Sequence, residues 1–290
     1  MRVLALVVAL VGIALPSLAP AAPSGPRLRV QRHPVAWLPA GWFTQGSDAG
    51  DLREALVLCM FRREAMLPGG CSEEDFAHER PSRRVWVSAF GLDRTEVSHA
   101  QWRRCMRAGA CPPPRLSDAD PRVSAPAHPV AGVTWDEARR YCGWVGGRLP
   151  TEAEWERAAR GAASNRFPWG DAYNDRLANH GRTGDRPDGV DGFRHAAPVD
   201  GFVAGASPHG LQQMAGNVWE WTSDWYQPDA YLSQERIDPE GPADGTERVV
   251  RGGSWRAPPH AVRTTHRGHR LPDQAWPDVG FRCAYDPDSR

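Results

Sequence analysis

From Gly161 to the C-terminus the chain shows no helical period at all. About 120 residues of Gly, Pro, Asp and Trp are interrupted only by short apolar pairs. A stretch that long without regular elements marks a functional or cross-linked region. The 13 Trp of the chain, many of them here, and a late cysteine, Cys283, point to ordered irregular structure rather than disorder. The 29 Gly and 27 Pro promise loops, while 41% hydrophobic residues suffice for a core. With 290 residues, one large or two modest domains fit. No internal repeat or low-complexity linker divides the chain, so one domain is expected over 23–290, carrying an insertion at 48–80.

Charge narrows the function classes. The 35 basic residues balance 35 acidic ones, and every basic residue is Arg. The absence of Lys excludes a Schiff-base lysine, a pyridoxal-phosphate anchor and a Walker-A phosphate lysine. A net charge of zero argues against nucleic acid or anionic lipid as a partner.

The N-terminus reads as an address. Arg2 precedes an apolar run from Val3 to Leu15, then Pro16 and the small-residue stretch 17–22, the pattern of a cleavable secretory signal over 1–22. The run is short for a bilayer span; an uncleaved anchor is the alternative. The mature chain is expected to be exported, periplasmic or secreted, soluble and monomeric, without membrane contact after cleavage. Export makes the six cysteines disulfide candidates, and spacing alone does not choose among the pairings. Cys59 and Cys71 flank a Pro-Gly-Gly turn, and Cys105 and Cys111 flank Ala108–Ala110, so both pairs look like local staples. Cys142 and Cys283 would then remain as a long-range bridge worth roughly 4–5 kcal/mol. A zinc site is the rival reading, but no Cys-x-x-Cys or His-x3-His spacing supports it.

Three helix starts share one design. Ser98 with Gln101, Thr134 with Glu137 and Thr151 with Glu154 are capping boxes, predicting helices from Ser98 to about Ala108, Trp135 to about Val145 and Glu152 to Arg160. A fourth, amphipathic helix is expected from Asp51 to about Met66. Strands are expected at Val35–Leu38, Trp42–Gln45, Val85–Val87 and Arg248–Arg251.

The motifs along this frame are specific. Gly132-Val133-Thr134-Trp135 leads through Tyr141-Cys142-Gly143-Trp144 to Gly147-Arg148-Leu149-Pro150-Thr151-Glu152-Ala153-Glu154-Trp155-Glu156. Phe167-Pro168-Trp169-Gly170 follows, then Gly216-Asn217-Val218-Trp219-Glu220-Trp221, Arg251-Gly252-Gly253-Ser254-Trp255 and Gly280-Phe281-Arg282-Cys283. With Thr95-Glu96-Val97, this order resembles the formylglycine-generating, sulfatase-modifying factor family over about residues 35–285. The resemblance implies a single α+β domain related to C-type lectins, irregular and loop-rich, with few short helices and strands. It also implies pairing of Cys142 with Cys283.

Oxidising members of that family convert a sulfatase cysteine to formylglycine with molecular oxygen and a copper(I) ion held by two cysteines. Soft thiolates suit that ion. The matching positions here are Ala257 and Val262, so copper is not expected. Calcium is: the resemblance places one site at Asn179, the His180 carbonyl, Asp191 and the Phe193 carbonyl. It places a second at Asn217 and Glu220 with carbonyls of Ala215, Gly216 and Val218. Irregular loops supply such oxygen ligands readily, although Asn217 and Glu220 could equally cap turns. Beside the vacant copper positions lie His260, Arg263, His266, Arg267, His269 and Arg270. They read either as a cationic lip for a carboxylate ligand, as imidazole donors for a different metal, or as a solvated loop paired to Asp273 and Asp278. Ser254 and Trp255 are further pocket candidates, Ser254 without any sequence-evident His-Asp partner.

Two functions follow as expectations. One is an exported binding or scaffolding domain, without oxidising chemistry, for a peptide, protein or small anionic ligand. The other is a periplasmic oxidoreductase of the same family acting on a peptide or siderophore-like substrate without a copper-thiolate site. Fold alone does not choose between them.

Overall fold

The computed structural model describes residues 34–60, 71–115, 124–181, 189 and 191–287. The expected signal over 1–22 and the continuation of the first helix beyond Met60 lie outside them.

Each capping box starts a helix. Thr134 Oγ1 accepts from the Glu137 amide while Glu137 Oε2 accepts from the Thr134 amide at 2.8 Å, opening α3, Trp135–Trp144. Thr151 and Glu154 repeat the exchange at the start of α4, Glu152–Arg160. At α2, His99–Arg107, the Ser98 amide donates to Gln101 Oε1 at 2.6 Å. Helix α1, Ala49–Met60, begins in the expected insertion and sets Leu52, Ala55 and Leu58 inward. A further short helix, α5, spans Ala230–Ser233.

Strands are short and fall into three sheets among the described residues. In the first, β4 (Phe90–Asp93) lies between β1 (Val35–Leu38) and β9 (Ala284–Tyr285), with Ala36 opposite Leu92 and Leu92 opposite Ala284. The second pairs β2 (Gly41–Gln45) with β3 (Arg83–Val87), Phe43 opposite Val85. The third runs β7 (Gly268–Arg270), β6 (Arg248–Arg251), β5 (Trp219–Trp225), β8 (Val279–Gly280), with β8 parallel to β5 and the other pairs antiparallel. No described helix is long and apolar enough to cross a membrane.

The main core packs Phe43, Val85, Phe90 and Leu92 from the strands against Ala153, Trp155, Ala158 and Ala159 of α4. Three disulfides fasten the loops: Cys59–Cys71, Cys105–Cys111 and Cys142–Cys283. The last closes 141 residues, ties α3 to the C-terminal segment, and is the largest entropic constraint of the three at about 5 kcal/mol. Where loops cross, glycine is required. Gly216 has φ +74°, and a Cβ there would meet the Asn179 carbonyl oxygen at 2.1 Å.

Candidate functional site

Strand β6 ends at Arg251 and the chain then loops through Ser254, a 3-10 turn at Pro259–Val262 and Arg263 into β7. This loop holds the vacant copper positions and most of the predicted lip. At Arg263 and Arg267 the structure differs from the predicted cationic lip. Arg263 and Arg267 are fully buried, and their guanidinium donors are spent inside the protein. Arg263 grips Glu79 with both terminal nitrogens, at 2.6 and 2.9 Å, and donates through Nε to the His260 carbonyl. Arg267 forks onto Glu152 at 2.8 and 3.0 Å and donates to the carbonyls of His78 and Gln227. The partners are therefore distant glutamates, not the nearby Asp273 and Asp278. Arg251 completes the row by donating to Glu156 Oε2 at 2.8 Å and to the carbonyls of Thr264, Thr265 and His266. No external carboxylate can be forked by guanidinium groups already committed in this way.

Ser254 is corrected similarly. It is buried and donates to Asp278 Oδ2 at 2.8 Å, an oxygen that Arg256 also contacts at 3.0 Å. Such a hydroxyl ties the loop down, and its partner is a carboxylate shared with Arg256, not the imidazole of a triad. Trp255 is buried, and His195 packs edge-on to it at 5.0 Å. Ala257 and Val262 are both buried, and Val262 packs with Leu58, Phe167, Ala178 and Ala215. All six cysteines are in disulfides and none is free, so the chain offers no thiolate pair. A copper(I)-thiolate centre does not fit these residues.

What sequence reasoning missed is Glu79. A 3-10 turn over Glu73–Glu79, within the segment expected to be an insertion, carries it to the loop. Besides Arg263 it accepts from Ser47 Oγ at 2.6 Å and Thr265 Oγ1 at 3.0 Å, and His266 Nδ1 lies 3.0 Å from its Oε1. Arg263 and the hydrogen bonds hold the Glu79 carboxyl well below the usual range against the opposing effect of burial. Phe76 of the same turn packs on the His260 ring at 5.6 Å, and α1 lies against the 259–262 turn. The neighbouring imidazoles are half-buried. Burial, reinforced by His266, pushes His78 down to about 4, and burial also lowers His266. His269 is stacked on Tyr226, whose ring His78 also meets edge-on, and is bonded to Glu247.

The predicted calcium ligands form a second polar region. Asp191 accepts from the amides of His180 and Phe193 at 2.9 and 3.0 Å, so Asn179, His180, Asp191 and Phe193 do come together. Asn179 Nδ2 donates to the His195 carbonyl and to Asn217 Oδ1, and Asn179 Oδ1 is buried without a partner. Asn217, at φ +62°, donates to Glu96 Oε2 at 3.0 Å. Glu220 is placed otherwise than expected. Both its oxygens meet Arg282 at 2.7 Å, and Oε2 also accepts from Trp155 Nε1. The open acceptor beside Asn217 is instead Glu96 Oε1, buried and without a hydrogen-bond partner; Gln213 Oε1 is likewise buried and unpartnered, while its Nε2 donates to the Pro198 carbonyl. Burial and the Glu220 charge push the Glu96 carboxyl well above its usual range. Unsatisfied oxygens around a buried carboxylate are the donor set of a hard cation, so calcium fits this chemistry. Glu96 sat in a noted motif, but nothing in its spacing revealed its burial.

A single α+β domain with short strands, four capped or amphipathic helices and a loop-built polar centre defines the class, and comparison with known proteins agrees. The FGE-sulfatase family, described as the sulfatase-modifying factor enzyme 1-like domain, matches residues 26–287. The chain belongs to that family. It is similar to the formylglycine-generating enzyme of Bos taurus, 32% identical over 300 residues, covering 86% of this chain and 74% of that one. It is also similar to the formylglycine-generating enzyme of Streptomyces coelicolor, 41% identical over 218 residues, covering 72% and 66%. A hercynine oxygenase of Mycolicibacterium smegmatis is 34% identical, with 72% of this chain and 56% of that one covered. Among solved structures, PvdO from Pseudomonas aeruginosa shares the fold, with TM-score 0.67 at 23% identity over 87% of this chain and 94% of that one.

Proposed function

We propose that this chain is an exported sulfatase-modifying-factor domain that binds a peptide, protein or small anionic ligand and does not carry out copper-thiolate oxidation. One observation carries the reading. The two positions that would grip copper are the buried hydrocarbon side chains of Ala257 and Val262, and every thiol is in a disulfide. Methyl and isopropyl groups offer no lone pair to a soft ion. Export is supported by the N-terminal apolar run and by bridges that persist in an oxidising compartment. Calcium would be held at Asn179, the His180 carbonyl, Asp191 and the Phe193 carbonyl, and around Asn217 with Glu96 and Gln213. There it would tie the irregular loops together.

The likeness to relatives named formylglycine-generating enzyme and hercynine oxygenase favours a second reading, an oxidoreductase using a pocket without thiols. One experiment separates the two from copper-thiolate chemistry. Purified protein is given a Cys-x-Pro-x-Arg peptide, copper(I) and oxygen, and the peptide is weighed by mass spectrometry. Unchanged peptide is expected; formylglycine would overturn the proposal. Oxidation of any other supplied peptide or siderophore-like compound would move the chain to the second reading.

A further inference from the structure

The imidazoles around Glu79 are arranged for more than packing. His78 comes from the insertion and His266 from the loop before β7, and their ring centroids lie 5.9 Å apart. One ligand atom from each of His78, Glu79 and His266 falls within 4.8 Å of the others. His260 brings a third ring 5.9 Å from that of His266. Two imidazoles sharing an ion through bonds of about 2.0–2.1 Å would have centroids ~5–6 Å apart, so these spacings require little movement.

The polar atoms agree with the spacing. His78 Nε2 is buried and has no hydrogen-bond partner, an arrangement that packing alone leaves unexplained. Glu79 is ionised and can only accept, so the His266 nitrogen facing it, Nδ1, carries the proton. The lone pair is thereby set on Nε2. A carboxylate behind a histidine, fixing its tautomer and raising its basicity, is the usual outer partner of a metal-binding imidazole. Glu79 is itself suited to that outer position because Arg263, Ser47 and Thr265 occupy its remaining capacity. A surface cleft of about 450 Å³ is lined by His78, Arg80, Pro228 and Leu232 among others, so the cluster borders it through His78.

We propose that His78 and His266, backed by Glu79 and completed by His260, bind one late first-row transition-metal ion of the kind that prefers nitrogen donors, zinc(II) or copper(II). The donors are imidazole nitrogens, not thiolates, so this site is independent of Ala257 and Val262 and stands whether or not the chain oxidises anything. Hard cations do not compete for it, because they seek oxygen.

The test uses the chelator-treated full chain, titrated calorimetrically with zinc(II) and separately with copper(II) in the presence of millimolar calcium. One ion per chain is expected, and the copper(II) form should show nitrogen hyperfine coupling by electron paramagnetic resonance. His78→Ala and His266→Ala should each weaken binding by at least about tenfold, and Glu79→Gln by roughly 10–100-fold. His269→Ala, which removes an imidazole outside the cluster, should leave binding unchanged. His78→Gln, which keeps a polar side chain in the same space, should lose the ion while retaining the wild-type circular dichroism spectrum. Equal binding by wild type and the His78→Gln/His266→Ala double variant would overturn the proposal. So would copper(II) bound without nitrogen coupling.

Discussion

The two buried polar regions of this chain are built on opposite terms. Along the loop from Arg251 to Arg267, each carboxylate meets a guanidinium: Glu79 meets Arg263, Glu152 meets Arg267, and Glu156 meets Arg251 and Arg160. Around Asn179 and Asn217, a buried glutamate meets an amide, and the oxygens Glu96 Oε1, Asn179 Oδ1 and Gln213 Oε1 go unmatched. In the first region the carboxylates are neutralised by guanidinium groups of the chain itself. In the second the buried oxygens lack such partners, and with the proposed calcium supplying the missing charge the two regions should respond oppositely to mutation, calcium and pH.

The largest effect is expected where the charges are matched. Arg263→Ala would leave Glu79 buried without its guanidinium partner, which costs about 3–5 kcal/mol, read as a lower urea midpoint. Replacing both partners with apolar groups, as in Glu79→Leu with Arg263→Met, should recover most of that loss, since a buried pair is itself only weakly stabilising. A single variant within 1 kcal/mol of wild type, on the order of a surface pair, would show that the row is not paired as described.

Next comes calcium. At a free concentration of about 100 times its dissociation constant, calcium should stabilise the protein by about 2.7 kcal/mol, read as a rise in unfolding temperature. Asn179→Ala should remove much of that rise, whereas Arg263→Ala should keep it. In calcium-free buffer Glu96→Gln should be stabilising, and more so as pH rises, because it removes the cost of keeping protonated a carboxyl whose ionised form burial opposes. A calcium response that survives both Asn179→Ala and Glu96→Gln would place the ion elsewhere.

These contrasts also explain what the residues disclosed in advance. Capping boxes are local, so Thr134 with Glu137 and Thr151 with Glu154 announced their helices without help from the rest of the chain. Strand β5 did not announce itself. Trp219, Glu220, Trp221 and Thr222 are all buried, so the alternation that signals a half-exposed strand is absent. Arg263 and Arg267 read as solvent-facing because an arginine-rich loop normally is. Their partners, Glu79 and Glu152, lie more than a hundred residues earlier in the chain. Nor could composition show that the 3-10 turn over Glu73–Glu79 supplies both Glu79 and His78 to a loop near the C-terminus. Pairings at that separation are decided by packing, and a one-dimensional pattern carries no trace of them.

The smallest expected effect is on pH dependence, and there the two regions differ in sign. Glu79 has a folded pKa below its unfolded value. Its contribution is therefore present above about pH 4.3 and is lost as pH falls through the folded pKa. Glu96 is raised, chiefly by burial, and Asp93 is pushed by burial to about 7. Their contributions are present below the unfolded carboxyl pKa and fade as pH rises through the folded values. His78, lowered to about 4, acts in the sense of Glu79: stability is lost as pH falls from about 6.5 towards 4. In calcium-free buffer, unfolding temperatures between pH 5 and 7 should therefore reflect opposing trends that variants can separate. Glu96→Gln removes a falling trend, so stability should climb more steeply with pH than in wild type. His78→Gln removes a rising one, so the climb should flatten, by less because that imidazole is only half-buried. Calcium should act like Glu96→Gln, since a bound cation holds the carboxylate ionised. If calcium left the slope unchanged while Glu96→Gln altered it, Glu96 would not face the ion, and the contrast between the two regions would reduce to burial alone.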